Sequence, residues 1–363
     1  MVSSTIRPAL ALQALASHFP NNLTTEVQAA VSEIYEYCQA NLDDADAMLG
    51  FILSRAMRKH YTGEQVQEHI YTKRFEIPQI RLFELLIKHL PAATVTQACA
   101  NTQLVAALAQ HESAVLMDIG IGTGVQIKNL LLQLNQYPNC QIKQLTVVGV
   151  EPFGEALVAA KQNLDEVASE VAFDISFIAK EAFIEHLTAE ELKALLPAEN
   201  APLYINTSFT LHHIRLAADR VKAFEAIKAL RPEAVVVSEP ESDHYEADYA
   251  IRFQNCLNHY SLVFDLVDDL AISPQEKAAL KLFFSREIDD VLGNSEEVRV
   301  EKHYSAKQWL NTFEAANFQL HFNPLTQPVE DPTRLTTLVK QGNYYSTVYN
   351  HQVVCNVFWI TLN

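Results

Sequence analysis

Three of the nine glycines in this chain lie within five positions, directly after a short apolar segment. The segment reads AVLMDI at residues 114–119, and Gly120, Gly122 and Gly124 follow it at alternate positions. Glycine weakens both strands and helices, so this cluster favours a sharp turn from a strand into a helix. Such a turn also lets a ligand lie close against bare backbone. A structural turn that binds nothing is the alternative interpretation.

From residue 114 onward, short β-rich segments alternate with helical segments, which is typical of βαβ units in an open parallel sheet. The expected strands lie at 114–119, 144–151, 172–179, 202–209, 233–239, 318–325 and 352–362, with the last pairing antiparallel at an edge. Residues 1–112 instead repeat apolar residues every three or four positions, as at Ile80 and Phe83, which predicts helices. We therefore expect a helical domain at 1–112 and an α/β domain at 113–363, with a helical insertion at about 246–292.

Composition narrows the class of protein. The 363 residues carry a net charge of −17 and are 49% hydrophobic. This negative field disfavours direct binding to nucleic acid or to acidic membranes. The five cysteines are scattered without metal-ligand spacing, so we predict reduced thiols, no metal site and a cytoplasmic location. No stretch approaches the roughly 20 apolar residues of a membrane span.

Three acidic residues lie at or near the ends of successive predicted strands. Asp118 precedes the glycines by two positions, Glu151 ends the next strand in VGVEP, and Glu181 ends the third in IAKEAF. A carboxylate in the position of Glu151 can accept hydrogen bonds from both hydroxyls of a ribose. Glu181 can accept a hydrogen bond from the amino group of an adenine. The pattern resembles the S-adenosylmethionine-binding core of Rossmann-like methyltransferases. Helix capping or exposure to solvent is the alternative for Glu181.

The fourth predicted strand leads into NTSFTLHHI, which contains Asn206, His212 and His213. We predict that Asn206 contacts the cofactor and that a histidine is a general base, since an unperturbed imidazole titrates near pH 6.5. Glu239, at the end of the fifth strand, is the third candidate catalytic residue. Alternatively, one histidine caps the next helix and the other packs in the core.

Longer segments resemble the GRAS family, known mainly for plant transcriptional regulators and also found in bacteria. VLMDIGIGTGVQ resembles its V-H-I-I-D motif, and LYINTSFTLHHI followed by the segment from ALRPEAVVVSEPESDHY to HYSLVFDLVDDL resembles its central motifs. FFSREIDDVLG and EEVRVEKHYSAKQW are similar to the L-G-R-E-I and R-V-E-R-H segments, and NVFWITL takes the place of the terminal S-A-W motif. The complete glycine set and the lack of a basic cluster favour a bacterial-type member.

The resemblance implies a Rossmann-like methyltransferase core, a mostly parallel sheet of the seven-stranded type, under a helical cap. We therefore expect a methyltransferase that uses S-adenosylmethionine to methylate a small, partly hydrophobic molecule. The candidate acceptor-binding residues are Glu241, His244, Tyr245, Arg252 and Tyr260. Packing is the alternative for the residues of the cap, and a surface ion pair is the alternative for Arg252. A homodimer is possible, and a non-catalytic ligand-binding or protein-interaction module is the alternative function.

Overall fold

The chain forms two compact units, each built from two separate stretches of sequence. The computed structural model describes residues 7–42, 44–62, 85–197 and 201–362. Met1–Leu90 and Glu241–Ser305 make up the first unit, called the helical unit, and Pro91–Pro240 and Ala306–Asn363 make up the second, called the sheet unit. The expected helix through Ile80 and Phe83 lies partly outside the described residues. The expected domain boundary at residue 112 stays a prediction.

The helical unit contains long helices with well-defined starts. Numbered in chain order along the whole molecule, they are α1 (Pro8–Ala16), α2 (Thr25–Gln39), α3 (Ala45–Thr62), α9 (Tyr249–Asp269) and α10 (Pro274–Gly293). Helix α10 begins with a capping box, in which Ser273 and Glu276 exchange side-chain and backbone hydrogen bonds. Helix α3 packs against α2 and α10, and α1 packs against α9. The two stretches of sequence thus share one core.

The sheet unit contains a mixed sheet of nine described strands. They are β1 (Ser113–Ile119), β2 (Gln144–Glu151), β3 (Asp174–Glu181), β4 (Leu203–Ser208), β5 (Ala234–Pro240), β6 (Phe318–Leu320), β7 (Thr337–Gln341), β8 (Tyr344–Tyr349) and β9 (Gln352–Leu362). Their order is β3-β2-β1-β4-β5-β9-β8-β7, and β6 also pairs with β9. Strands β1–β5 pair in parallel, whereas β9 is antiparallel to β5, β6 and β8.

The expectation of a mostly parallel, seven-stranded sheet is therefore corrected to a mixed α/β fold. The difference comes from a β7–β8 hairpin closed by Gly342 and Asn343, and Gly342 takes a φ of +60°. A two-residue Gly-Asn loop is a hairpin signal. The strand expected at 318–325 is also shorter, because β6 ends at Leu320.

Helices cover the sheet and complete its core. They are α4 (Pro91–Leu108), α5 (Val125–Gln136), α6 (Gly154–Ala168), α7 (Ala189–Lys193), α8 (Ala217–Ala229) and α11 (Ala306–Ala315). Helices α4, α5 and α6 share an apolar cluster with the sheet residues Leu116, Val147 and Val236. Among the helices of the described ranges, none combines the length and the apolar character that a membrane crossing requires.

Candidate functional site

The strand order reverses beside β1, whose neighbours are β2 and β4, and ligands of open α/β sheets bind at such a reversal. Asp118 on β1 lies in register with Asn206 on β4, and the Asn206 Nδ2 donates to Asp118 Oδ1 over 2.7 Å. Glu151 ends the neighbouring strand β2. All three side chains are buried. The structure thus places three predicted cofactor-binding residues near the carboxyl ends of three neighbouring strands.

The carboxyl groups of Asp118 and Glu151 both have raised pKa values. Burial raises the pKa of Asp118 to about 7, although the hydrogen bond from Asn206 opposes this shift; the charge of Glu151 adds to it. Burial likewise raises the pKa of Glu151 to about 7, against the lowering effect of the backbone N–H groups of Gly122 and Phe153. Removing a carboxylate from water disfavours its charged form, and here the hydrogen bonds compensate only in part.

The three glycines after β1 all have positive φ angles, but they serve different purposes. A Cβ added at Gly120 would lie 1.9 Å from Thr210 Oγ1, and one at Gly124 would lie 3.1 Å from the Ala160 Cα. These two glycines therefore allow close packing of the loop against the segment after β4 and against α6. A Cβ at Gly122 would meet nothing within 4 Å. Gly122 is thus the position where the loop borders open space.

Glu151 stabilises the glycine loop directly. Its Oε2 accepts from the Gly122 N–H at 3.1 Å, and its Oε1 accepts from the Phe153 N–H at 3.3 Å. A carboxylate offers about four lone-pair sites, so these two hydrogen bonds leave acceptor capacity for a ligand. Glu151 and Asp118 therefore fit the hydroxyl and ammonium groups of an adenosyl amino acid, which are hydrogen-bond donors.

Glu181 lies in register with Glu151 on the neighbouring strand β3, and its side chain is exposed. A Cβ at Gly154 would lie 2.8 Å from Glu181 Oε2, which places the carboxylate beside the first residue of α6. Negative charge is favourable at a helix N-terminus. The position is compatible with the alternative role at a helix end, and the expected adenine contact stays a prediction.

The three predicted catalytic residues form a second cluster in the sheet unit. Glu239 Oε2 lies 2.5 Å from His212 Nδ1, and Glu239 Oε1 accepts from the N–H groups of Thr210 and Leu211 at 3.1 and 2.8 Å. Burial raises the pKa of Glu239 to about 7, although these backbone donors and the charges of His213 and Arg220 lower it. The rings of His212 and His213 lie 4.0 Å apart.

Glu239 belongs to the opposite face of the sheet from Asn206. Asn206 lies in register with Val236 on β5, and side chains alternate between faces along a strand. Val236 and Ser238 therefore share the face of Asn206, whereas Glu239 lies on the other. The strand ends consequently carry two polar clusters, Asp118–Asn206 on one face and Glu239 with its histidine on the other.

Two residues of these clusters were not identified from the sequence. Thr210 contacts Gly120, and buried Arg220 donates to the backbone oxygens of His212 and Ile214, both at 2.9 Å. The Arg220 guanidinium also lies 5.3 Å from the ring centre of Trp309. Thr210 lies within the NTSFTLHHI segment, but its role, like that of Arg220, depends on contacts across the fold that the sequence does not show.

The five predicted acceptor-binding residues belong to the helical unit, where they contact its own residues. His244 Nδ1 lies 2.6 Å from His303 Nδ1, and the His244 ring stacks on Tyr260. The Tyr260 hydroxyl donates to Glu287 at 2.9 Å. Arg252 donates to the backbone oxygens of Glu246, Ala247 and Val291 at 2.6, 3.1 and 3.1 Å.

The remaining two are likewise engaged within that unit: the Tyr245 ring contacts Tyr304, and the Glu241 backbone accepts from His259. The acceptor-binding role of all five residues stays a prediction.

Comparison with known proteins decides the family. The model of the GRAS domain family matches residues 9–356. This chain belongs to the GRAS domain family. DELLA protein 2 of Medicago truncatula is 26% identical over 77% of this chain and 55% of its own length. DELLA protein GAI of Gossypium hirsutum is 27% identical over 86% of this chain and 62% of its own length.

A solved structure shares the fold of this chain. SCL7 of Oryza sativa superposes with a TM-score of 0.79 at 17% identity, covering 98% of this chain and 100% of that one. At this identity the likeness concerns the fold alone. The GRAS chain described here spans about half the length of the first curated relatives that it matches.

These comparisons overturn the expected function. The relatives are named DELLA or GRAS family proteins, and the matched model is that of the GRAS domain, so the interpretation as a small-molecule methyltransferase is wrong. A glycine loop followed by two strand-end acids specifies a local shape and a set of hydrogen-bond acceptors, which is not enough to establish methyl transfer.

Proposed function

We propose that this GRAS protein is a non-catalytic regulatory module that binds a small ligand at the strand ends of its sheet unit. The observation that supports it is the buried Asp118–Asn206 pair with Glu151 beside it, next to the open backbone at Gly122. Two buried carboxyl groups with raised pKa values destabilise a fold when they ionise. A ligand that donates to them offsets this cost.

The chemistry of the site favours a ligand rich in hydrogen-bond donors. Asp118 and Glu151 are acceptors when ionised, and each keeps acceptor capacity beyond its present hydrogen bonds. S-Adenosylmethionine, with ribose hydroxyls and an ammonium group, is the ligand that we propose to test first. In this proposal it is a ligand whose binding is sensed, and the protein transfers no group from it.

Finer features of the proposal rest on the sequence. The intact glycine set supports a bacterial-type member whose sheet unit shares ancestry with the Rossmann-fold methyltransferase superfamily. The net charge of −17 supports a protein that does not bind nucleic acid or membranes directly. A cytoplasmic location and a homodimer belong to the same proposal. The small-molecule methyl acceptor is not retained, because it depended on methyl transfer.

Calorimetry with S-adenosylmethionine and S-adenosylhomocysteine tests the proposal. We expect saturable binding to the wild-type protein and no conversion of the first compound into the second. Glu151→Gln should weaken binding by about 1–3 kcal/mol, the contribution of hydrogen bonds to a charged group. Glu170→Gln, at an exposed position of the same unit, is the matched control and should bind like the wild type.

Each outcome has a definite meaning. The absence of binding to the folded wild-type protein would contradict the adenosyl ligand. Turnover to S-adenosylhomocysteine would contradict the non-catalytic role. Equal affinities of the Glu151→Gln and Glu170→Gln variants would remove Glu151 from the site.

A further inference from the structure

Three buried polar atoms on one face of β4 and β5 have no hydrogen-bond partner among the described residues. They are Asn206 Oδ1, Ser208 Oγ and Ser238 Oγ. The side chains of Asn206 and Ser238 are fully buried. About nine in ten buried polar groups in proteins have a partner, and leaving one without costs free energy. Three such atoms on adjacent strands therefore indicate that something besides the protein satisfies them.

The three side chains share one face of the sheet. Ser208 on β4 lies in register with Ser238 on β5, and Asn206 precedes Ser208 by two residues. Asp118 lies in register with Asn206 on the other side of β4. Because side chains alternate along a strand, these four residues line a continuous polar strip across β1, β4 and β5.

Helix α4 covers this face, since it packs against β4, β5, β8 and β9. Its buried residues include the small Ala93 and Ala100 and the polar Thr96, Gln97 and Asn101. The strip therefore lies beneath a helix whose buried surface is partly polar, at the end of the strands where Gly120 and Gly122 turn towards α5.

We propose that Asn206, Ser208 and Ser238 form a polar subsite beneath α4 that binds the ammonium end of the ligand held at Asp118. The inference rests on the proposed function and extends that site from β4 to β5. The far end of the ligand is a primary amine in its charged form.

The hydrogen-bonding roles of the four residues require a donor. The Asn206 amide nitrogen already donates to Asp118, so its Oδ1 accepts. Asp118 accepts, and the two serine hydroxyls can donate or accept. The groups that shift the pKa of Asp118 are its buried surroundings, Asn206 and Glu151, with no cation of the described residues among them. An ammonium group supplies three donors and the missing positive charge.

A matched pair of ligands isolates the amine. S-Adenosyl-3-thiopropylamine and 5′-methylthioadenosine are both thioethers of adenosine, and only the first carries an ammonium group at the end of its chain. We expect the wild-type protein to bind the amine at least about tenfold more tightly, as hydrogen bonds to a charged group imply. Ser238→Ala should lose most of this preference while its affinity for 5′-methylthioadenosine stays unchanged.

Ser346→Ala is the matched control, because Ser346 is equally buried in the same sheet and its hydroxyl donates to Asn356 Oδ1 at 2.7 Å. It should keep the preference for the amine. Without ligand it should also lower the melting temperature more than Ser238→Ala does, since it removes a hydrogen bond that the protein itself makes.

The outcomes separate the two proposals. If the wild type binds both compounds equally, the strand-end site stands and the ammonium subsite is wrong. An unchanged preference in the Ser238→Ala variant would also overturn the subsite and assign the strip to structural water. If the wild type binds neither compound, the proposed function and the ammonium subsite are both wrong.

Discussion

At the scale of single residues, the site is defined by carboxyl groups that the fold keeps away from water. Asp118, Glu151 and Glu239 all have pKa values raised to about 7, and burial is the largest cause for each. Glu239 shows this most clearly, because two backbone donors and His212 contact it and its pKa is still raised. Hydrogen bonds alone therefore do not restore the acidity of a deeply buried carboxyl group.

Asp118 should make the stability of the protein depend on pH. Its pKa rises from about 3.9 in the unfolded chain to about 7 in the folded one, so between these values the folded state binds more protons. Its contribution is therefore fully present below pH 4 and is lost as pH rises towards 7. Asp118→Asn keeps an acceptor for Asn206 and should stabilise the protein at pH 8 by about 1–3 kcal/mol relative to wild type, at roughly 1.4 kcal/mol per pKa unit.

Urea unfolding at pH 4.5 and pH 8 measures this difference, which should be much smaller at the lower pH. Asp165→Asn, at an exposed side chain paired with Lys161, is the control and should show little dependence on pH. A stability difference between Asp118→Asn and wild type that is the same at both pH values would show that Asp118 does not titrate in this range.

At the scale of elements, the glycine loop shows what the sequence could and could not predict. The turn from β1 into α5 follows from the glycines themselves, which take φ angles of +79°, +54° and +74°. The contact of Gly120 with Thr210 could not be predicted, because it joins segments that are distant in sequence. The β7–β8 hairpin was not predicted, although a Gly-Asn loop is a hairpin signal, because β7 is short and mixes apolar and polar residues.

The loop predicts different costs for equivalent substitutions. Gly120→Ala and Gly122→Ala both place a side chain at positive φ, which costs about 1 kcal/mol. Gly120→Ala should destabilise the protein further, because its Cβ meets Thr210. Thr210→Gly should rescue part of the loss in Gly120→Ala and none in Gly122→Ala. Thermal unfolding of the single and double variants measures this coupling. Additive changes in stability would contradict the contact between Gly120 and Thr210.

At the scale of the whole molecule, each unit is assembled from two stretches that interrupt each other. Helical periodicity predicted helices before residue 112 and in the 246–292 insertion, and the structure contains α1–α3, α9 and α10 there. Which helices share a core was beyond sequence patterns, because periodicity marks an apolar face without naming its partner. The polar contacts of the helical unit, such as Tyr260 with Glu287, were invisible for the same reason.

The divided helical unit should not survive the loss of its first stretch. A fragment of residues 91–363 lacks α1 and α3, against which α9 and α10 pack. Hydrogen exchange should show backbone amides of α9 and α10 losing their protection, while β1, β2 and β4 of the sheet unit keep theirs. The intact chain provides the reference. Protection of α9 and α10 equal to that in the intact chain would show that this unit folds without residues 1–90.

The interruption of each unit by the other also has a consequence during synthesis. About 150 residues separate Leu90 from Glu241, and ribosomes add roughly 5–20 residues per second. Helices α1–α3 therefore leave the ribosome on the order of ten seconds before α9 and α10, with the apolar surfaces that these helices later cover still exposed. Strand β5 is likewise synthesised before β9 (Gln352–Leu362), its antiparallel neighbour in the sheet. Early-emerging segments of this protein are consequently the ones that a chaperone would meet first.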